Sequence, residues 1–387
     1  MSNSLKLKQL LVDIHTHCYL PRYAAFLRSR SIAPKIFTSG DRERLLILDD
    51  EPATGRPVGP QYWDRNEKLK FMDTHDIDIS IVSTANPWLD FLPPDKAHTL
   101  ATELNVDLEE YCATSPVVSM PGSHDIKRLY GFGLLPLVPD IPVDAILQVI
   151  KQISSLSHLK GVIMGTKAVG KGLDDPSLEP VWEALSAAGL VVFLHPHYGL
   201  GSGAKEAWGN RDNGHVLSLA LGFPMETTIA TTRLILAGVY DRHPDLKILL
   251  AHSGGALPQL SSRLASCISH DPVVSSRLQH DARYYVSKLY FDAVNYGPEE
   301  MGFVADVIGR GSAYANSQDQ RGDRMSGYTR MLFGTDHPFF PPLDGEGRWK
   351  SVLENIRAIE GVKGWGEAEK AAVLGGNALE LFLQGPM

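Results

Sequence analysis

The sequence predicts a (β/α)₈ barrel that spans residues 1–387 as a single domain. Short runs of aliphatic and β-branched residues recur along the chain, and they alternate with segments of helical periodicity. Apolar runs separated by helices are typical of parallel strands that are buried on both faces. Eight such runs can be counted, which favours closure into a barrel whose loops after the strands carry the chemistry.

The predicted strands cover residues 10–17, 79–85, 129–137, 159–166, 190–197, 247–254, 289–295 and 331–338. Between them, Pro142–Leu156 and Pro176–Ala188 place apolar residues at helical i, i+3, i+4 spacing. Met225–Arg242 is predicted to be one long helix that ends before His243-Pro244, because proline disfavours helical continuation.

An open, doubly wound sheet is the alternative fold. That fold usually carries a glycine-rich phosphate loop directly after its first strand. No such loop follows residue 17, and Gly165, Gly170 and Gly172 are spaced too irregularly to match the fingerprint. The barrel is therefore preferred.

Two regions depart from the strand–helix alternation. Residues 33–62 combine four prolines with many charges, and we expect an insertion after the first strand. Residues 309–330 are rich in Gly, Ser, Asn, Asp and Arg, which predicts a long mobile loop before the eighth strand.

Composition excludes several classes of protein. The net charge of −8, without a compensating basic cluster, argues against binding of nucleic acid. No apolar run reaches the roughly 18 residues that a membrane-spanning helix needs, and none has signal-peptide form. The three cysteines, Cys18, Cys112 and Cys267, are far apart and match no zinc or disulfide pattern. We therefore expect a cytoplasmic enzyme.

The first predicted strand ends in two histidines separated by one residue, His15 and His17. Residues i and i+2 of a strand project from the same face, so the two imidazoles point together. Neutral imidazoles placed in this way can hold one transition-metal ion.

Polar residues end other predicted strands in the same fashion: His195 and His197 the fifth, His252 the sixth and Asp336 the eighth. A barrel brings the carboxyl ends of its strands into one ring. Nitrogen and oxygen ligands without thiolate suit Zn²⁺, Mn²⁺, Fe²⁺ or Co²⁺, and zinc is favoured because three His or carboxylate ligands with an open position form its catalytic arrangement. His197 is left open, because it could share the site or bond to a loop.

The segments DIHTH, FLHPHYG, LLAHSGG and MLFGTDHP resemble the amidohydrolase superfamily, and in particular its metal-dependent nonoxidative decarboxylases. The resemblance runs from Val12 to about residue 343. The segments ANPWLDF, GKGLDD and ALGFPMETT are also similar to members of this group. The similarity is weakest at 33–62 and 309–330.

The resemblance implies a set of roles for individual residues. His15, His17, His195 and Asp336 would be the metal ligands, with Asp336 and His252 in proton transfer. Asn86, Arg263 and Phe339 would contact the substrate, an aromatic or pyrimidine carboxylate. A homodimer or higher homo-oligomer is also expected.

Binuclear members of the superfamily use a carboxylated lysine at the end of the fourth strand. The fourth predicted strand here ends Ile163-Met164-Gly165-Thr166, and the nearest lysine, Lys167, lies one residue beyond. We therefore predict one metal ion per chain.

The reaction class rests on the chemistry of an aryl carboxylate. Direct loss of CO₂ would leave an unstabilised sp² carbanion, whereas protonation of the ring carbon first avoids it and needs an acid beside a cation. A metal-dependent hydrolase of an amide or lactone could use the same His and Asp residues. A decarboxylase acting on a different aromatic acid, such as a dihydroxybenzoate, is a further alternative.

Overall fold

The computed structural model describes residues 10–48, 55–118, 126–199, 216–314, 324–342 and 347–383. Within them, one eight-stranded parallel sheet follows the order of the chain. Its strands are β1 (Val12–Cys18), β2 (Ile79–Thr84), β3 (Leu129–Leu134), β4 (Leu159–Gly165), β5 (Val191–His195), β6 (Ile248–Leu250), β7 (Tyr290–Asp292) and β8 (Met331–Leu332). The predicted (β/α)₈ barrel and its eight strand positions are confirmed.

Burial on both faces explains why the strands read as continuous apolar runs. Every residue of β1, β2, β3 and β5 is buried. The inward face fills the barrel, and the outward face packs under the helices.

The helices of the described chain alternate with these strands. Val143–Ser155, for example, buries one apolar stripe, as its sequence periodicity predicts. The α-helices are Pro21–Arg28, Pro60–Trp63, Arg65–Thr74, Pro94–Ala113, Val143–Ser155, Glu179–Ala187, Phe223–Leu236, Val239–Arg242, Leu257–Ser269, Pro272–Ser275, Ala282–Lys288, Pro298–Gly311, Lys350–Gly361, Glu367–Ala371 and Asn377–Phe382.

The prediction of one continuous helix over Met225–Arg242 is wrong. The chain forms Phe223–Leu236 and then Val239–Arg242, with Gly238 between them at φ +69°. Glycine adopts this left-handed conformation at little cost, so it ends the first helix and redirects the chain.

The region 33–62 forms a small antiparallel sheet from Lys35–Ser39, Arg42–Leu46 and Arg56–Pro57, followed by the helix Pro60–Trp63. Residues 49–54 lie outside the described chain. Tyr62 stacks on Tyr19, just after β1, with ring centroids 5.2 Å apart. This segment therefore packs against the carboxyl end of the barrel.

The region 309–330 differs from the expected long loop where it is described. The helix Pro298–Gly311 continues into a 3₁₀ turn over Ser312–Tyr314, and a second 3₁₀ segment covers Arg324–Arg330. The intervening 315–323, where the loop was also predicted, lies outside the described residues. Among the described helices, none combines the length and apolar character needed to cross a membrane.

The barrel closes between β8 and β1 through irregular backbone hydrogen bonds. Ile14 N donates to Phe333 O at 3.0 Å, and His17 N donates to His337 O at 2.7 Å. An isolated parallel bridge pairs Thr16 with His337. This junction, the β8–β1 seam, positions the ends of the first and last strands against each other.

Gly161 in β4 offers a test of how tightly the barrel packs. A Cβ at this position would overlap the backbone carbonyl of Val191 in β5, which cannot move without disturbing the sheet. Gly161→Ala should therefore lower the free energy of unfolding, by about 1–3 kcal/mol for an overpacked site.

Gly376 provides the matched control, because it has helical dihedral angles and a Cβ there would meet no atom closer than 3.6 Å. Gly376→Ala should be neutral or stabilising, by up to about 1 kcal/mol. Urea unfolding of both variants checks the pair, and equal effects of the two substitutions would contradict this account of the packing.

Candidate metal centre

Four side chains from three parts of the barrel converge at the carboxyl ends of the strands. His15 and His17 lie on β1, His195 is the last residue of β5, and Asp336 follows β8. One potential ligand atom from each lies within 4.8 Å of the others, and all four residues are buried. The structure thus brings together the ligand set that the sequence predicted.

The distances within this group, here called the His–Asp cluster, are short. The Nε2 atoms of His15 and His17 are 3.1 Å apart. The Oδ1 atom of Asp336 lies 3.3 Å from His15 Nε2 and 3.5 Å from His17 Nε2. Donor atoms about 2.0–2.1 Å from a shared tetrahedral ion are separated by roughly this much.

The orientation of each imidazole is set by its other nitrogen. His15 Nδ1 pairs with Asp292 Oδ2 at 2.5 Å, and His17 Nδ1 pairs with Ser83 Oγ at 2.9 Å. His195 Nδ1 lies 2.8 Å from the carbonyl oxygen of Pro196. These partners accept from Nδ1–H, so they direct each Nε2 toward the centre of the cluster.

The cluster fits a divalent metal ion. His195 Nε2 is buried and has no hydrogen-bond partner among the described residues, although a buried polar atom without a partner is costly. A cation at the centre would satisfy it together with the adjacent nitrogens and the carboxylate. Three imidazoles and one carboxylate are a donor set that zinc and similar ions prefer.

Asp292, the last residue of β7, contacts the cluster directly, and the sequence analysis missed it. Besides His15 Nδ1, its carboxylate accepts from the backbone N–H groups of His252 at 2.9 Å and Ser253 at 2.7 Å. The signal was present, because Tyr290-Phe291-Asp292 is another apolar run that ends in a polar residue. Only the folded barrel shows that this carboxylate faces His15.

His252 lies at the edge of the cluster. Its Nε2 is 3.8 Å from Asp336 Oδ2, and its ring centroid lies 5.3 Å from that of His195. The residue has φ +55°, an uncommon conformation for a side chain with a Cβ, and the hydrogen bonds of Asp292 hold it there.

The electrostatics divide the cluster into charged and neutral members. Burial by itself would lower the pKa of His15, but the charge of Asp336 and the hydrogen bond to Asp292 outweigh it and raise the pKa to about 10. Burial lowers the pKa of His17 to about 4. Burial would raise the pKa of Asp336, yet the neighbouring His15 holds it well below its usual range.

His197 is not part of the cluster. Its Nε2 lies 3.0 Å from Asp90 Oδ2, and its ring packs edge-on against Trp88 at 4.9 Å. Of the two possibilities that the sequence left open, the structure favours bonding to a loop. A Cβ on Gly165, which ends β4, would overlap both His197 and Trp88.

Asn86 and Phe339 flank the site in different ways. The Asn86 side-chain amide donates to the carbonyl of His197, which ties the loop after β2 to the loop after β5. Phe339 is partly exposed, and its ring meets that of His17 edge-on with centroids 5.6 Å apart. Phe339 thus contacts His17 of the cluster, whereas Asn86 contacts His197, which is not a cluster residue.

Arg263 and Lys167 are not drawn into the cluster. Arg263 lies exposed within the helix Leu257–Ser269, and in the described part of the chain no hydrogen bond joins it to the cluster. Its role in substrate binding stays a prediction. Lys167 is exposed, and its Nζ lies 4.8 Å from the ring centroid of Tyr198, so it is not among the ligand atoms.

Comparison with known proteins agrees with this architecture. A profile of the amidohydrolase family (Amidohydro_2) matches residues 122–311. The chain belongs to the amidohydrolase superfamily, and within it to the decarboxylases.

Three named proteins are similar to the chain to different degrees. The crystal structure of Metarhizium anisopliae IDCase in apo form is 39% identical, with 97% of each chain covered and a TM-score of 0.83. The 2-amino-3-carboxymuconate-6-semialdehyde decarboxylase of Dictyostelium discoideum is 28% identical over 84% of this chain and 79% of that protein. The 5-carboxyvanillate decarboxylase LigW of Sphingomonas paucimobilis shares the fold, with a TM-score of 0.72, 21% identity and coverage of 97% of this chain and 99% of that one.

The ligand set predicts the metal content of the purified protein. We expect about one divalent ion per chain, and its loss in His15→Ala and His195→Ala while the barrel stays folded, because the barrel core lies below the site. Lys167→Ala is the control and should retain its metal. Elemental analysis with circular dichroism checks all three variants, and two ions per chain would contradict the mononuclear assignment.

The pKa values predict one imidazolium among the three histidines of the metal-free His–Asp cluster. A group with a pKa of about 10 holds its proton below that pH, so His15 should be charged at pH 8 while His17 and His195 are neutral. Nuclear magnetic resonance of ¹⁵N-histidine-labelled protein measures this directly. In Asp292→Asn the imidazolium should be lost at lower pH, because the neutral amide attracts the cation less. A neutral His15 at pH 8 would refute the assignment.

Proposed function

We propose that the protein catalyses the zinc-dependent, nonoxidative decarboxylation of uracil-5-carboxylate (isoorotate) to uracil and CO₂, as a step of thymine and pyrimidine salvage. The observation that carries the proposal is the 39% identity to Metarhizium IDCase, which extends over 97% of both chains. The His–Asp cluster supplies the donor set that such a reaction needs.

His15, His17, His195 and Asp336 would hold the ion. When bound, a divalent cation attracts the substrate carboxylate and the neighbouring carbonyl oxygen, and it stabilises negative charge on them. Zinc is proposed because three imidazoles and a carboxylate suit it, with Mn²⁺ as the alternative.

The proton has to reach C5, the ring carbon that carries the carboxylate. Despite its burial, Asp336 is ionised in the resting site, because His15 holds its pKa well below its usual range. In the proposed reaction it therefore first takes a proton from His252 and then delivers that proton to C5, where a new C5–H bond forms. The bond between C5 and the carboxylate carbon then breaks, and its electron pair returns to the ring as CO₂ leaves. One proton is consumed for each CO₂ released.

His252 is placed to support this transfer. Its Nε2 lies 3.8 Å from Asp336 Oδ2, whereas His15 and His17 lie near the other oxygen, Oδ1. A modest rotation of either side chain would bring the two atoms within hydrogen-bonding distance. We propose that His252 returns a proton to Asp336 between turnovers.

The surroundings of the cluster suit a flat ring. Phe339 meets His17 edge-on and contacts Tyr62 edge-on at 6.1 Å between centroids, so a partly exposed aromatic side chain lies beside the cluster. Aromatic rings favour edge-to-face or offset contacts with one another. We propose that a planar pyrimidine packs against the partly exposed ring of Phe339.

Asp336→Asn tests the proposal most directly. The amide keeps an oxygen that can bind metal, but it cannot give up a proton. We expect the variant to retain the ion and bind uracil-5-carboxylate, while kcat falls by about 10² to 10⁴. Asp144→Asn, an exposed position in the first turn of Val143–Ser155, is the matched control and should leave kcat unchanged.

Wild-type enzyme in D₂O separates the reaction classes. A decarboxylase should release CO₂ and place deuterium at C5 of the uracil product, as read by mass spectrometry. Cleavage of an amide or lactone without CO₂ release would refute the proposal. Consumption of another aromatic acid but not of uracil-5-carboxylate would overturn the substrate and keep the reaction class.

A further inference from the structure

Lys68 is a buried lysine that the proposed reaction does not use. It lies in the helix Arg65–Thr74 behind β1, and only 2% of its surface is exposed. Its Nζ donates to Thr16 Oγ1 and, at 3.2 Å, to His337 Nδ1. No carboxylate of the described residues forms an ion pair with it. Burying an ammonium group in this way is costly, so its presence at this position calls for an explanation.

The two acceptors of Lys68 lie on opposite sides of the β8–β1 seam. Thr16 stands between His15 and His17, and its side chain points away from the cluster, toward the helix. His337 directly follows Asp336. Thr16 Oγ1 also donates to the carbonyl oxygen of His337 at 3.2 Å. Lys68, Thr16 and His337 therefore each contact the other two across the seam.

The contact between Lys68 and His337 matters because the preceding residue in the chain, Asp336, has an unfavourable backbone conformation. Its φ of +58° is unfavourable for a residue with a Cβ and persists only where the neighbours impose it. On one side Thr335 is fixed by Asp13, which accepts from Thr335 Oγ1 at 2.8 Å and from its N–H at 3.1 Å. On the other side the side chain of His337 is held by Lys68.

We propose that Lys68 is a positioning residue for the candidate metal centre, fixing the separation between the histidines of β1 and the carboxylate of Asp336 by joining Thr16 to His337. The inference rests on the ligand set of the proposed function. It does not depend on which carboxylate the enzyme consumes.

An ammonium group suits this role better than a neutral side chain. It offers three N–H donors, so it can bind acceptors on both sides of the seam at once. Burial lowers the pKa of Lys68 to about 8, and the nearby Asp13 raises it, so the group remains mostly protonated at pH 7.

Lys68→Met keeps most of the apolar side chain and removes all three donors. We expect the Co²⁺-loaded protein to bind its metal about ten- to a hundredfold more weakly, as is typical when a partner that orients ligands is lost. The visible absorption of bound Co²⁺, which reports ligand geometry, should also change. Lys70→Met, at a largely exposed position of the same helix, is the control and should match the parent in both measurements.

Thr16→Val keeps the lysine but removes one of its acceptors, and it serves if Lys68→Met does not fold. Alone, it should weaken Co²⁺ binding in the same direction. Combined with Lys68→Met, it should add little, because both substitutions break one connection. Co²⁺ affinity within about twofold of the parent, with an unchanged spectrum, in the folded variants would overturn the proposal, as would full additivity.

The experiment also distinguishes a wrong substrate from a wrong role for Lys68. If no variant and no parent protein releases CO₂ from uracil-5-carboxylate, the proposed function falls, while the Co²⁺ measurements still decide the role of Lys68.

Discussion

Closure of the barrel at the β8–β1 seam is the constraint on which the candidate site depends. Two of the four clustered residues lie on the first strand and a third follows the last, so they meet only when the sheet closes. β8 itself is short, Met331–Leu332, and the pairing continues through irregular bonds such as Asp336 N to His15 O at 2.8 Å. Irregular backbone at this point lets the Asp336 carboxylate turn toward the imidazoles rather than continue a strand.

Two buried carboxylates stabilise the unusual backbone on either side of the cluster. Asp292 holds His252 and Ser253, both at positive φ, through their N–H groups. Asp13 holds Thr335, the residue before Asp336. Burial raises the pKa of Asp13 to about 6, which reflects the cost of keeping that carboxylate in the core. Each carboxylate offsets that cost by accepting several hydrogen bonds that would otherwise be unmade.

The opposite side of the site is organised around His197 and Glu226. The Glu226 carboxylate accepts from the backbone N–H of His197 at 2.9 Å and of Gly199 at 2.6 Å, and from Thr166 Oγ1. These bonds connect the loops after β4 and β5. The second histidine of the FLHPHYG segment thereby fixes the loops around the cluster, whereas the first one faces the centre.

The sequence by itself determined the barrel, its eight strands and the identity of the four clustered residues. Apolar runs without alternating polar residues indicate parallel strands that are buried on both faces. A polar residue after such a run marks the carboxyl end of the strand, and the barrel brings these ends together in one ring. The same logic would have found Asp292. It could not separate His195, which faces the cluster, from His197, because two residues at i and i+2 share a face only while the strand continues, and β5 ends at His195.

Tertiary structure alone decided the rest. It set the partners of the three Nδ1 atoms, the break at Gly238 and the helical parts of 309–314 and 324–330. It also placed Arg263 on an exposed helix face and Lys68 behind the seam. These features depend on contacts between residues far apart in the chain, such as Lys68 with His337 and His15 with Asp292. Local periodicity and spacing carry no information about such contacts, because they arise only when the closed barrel brings its strands together.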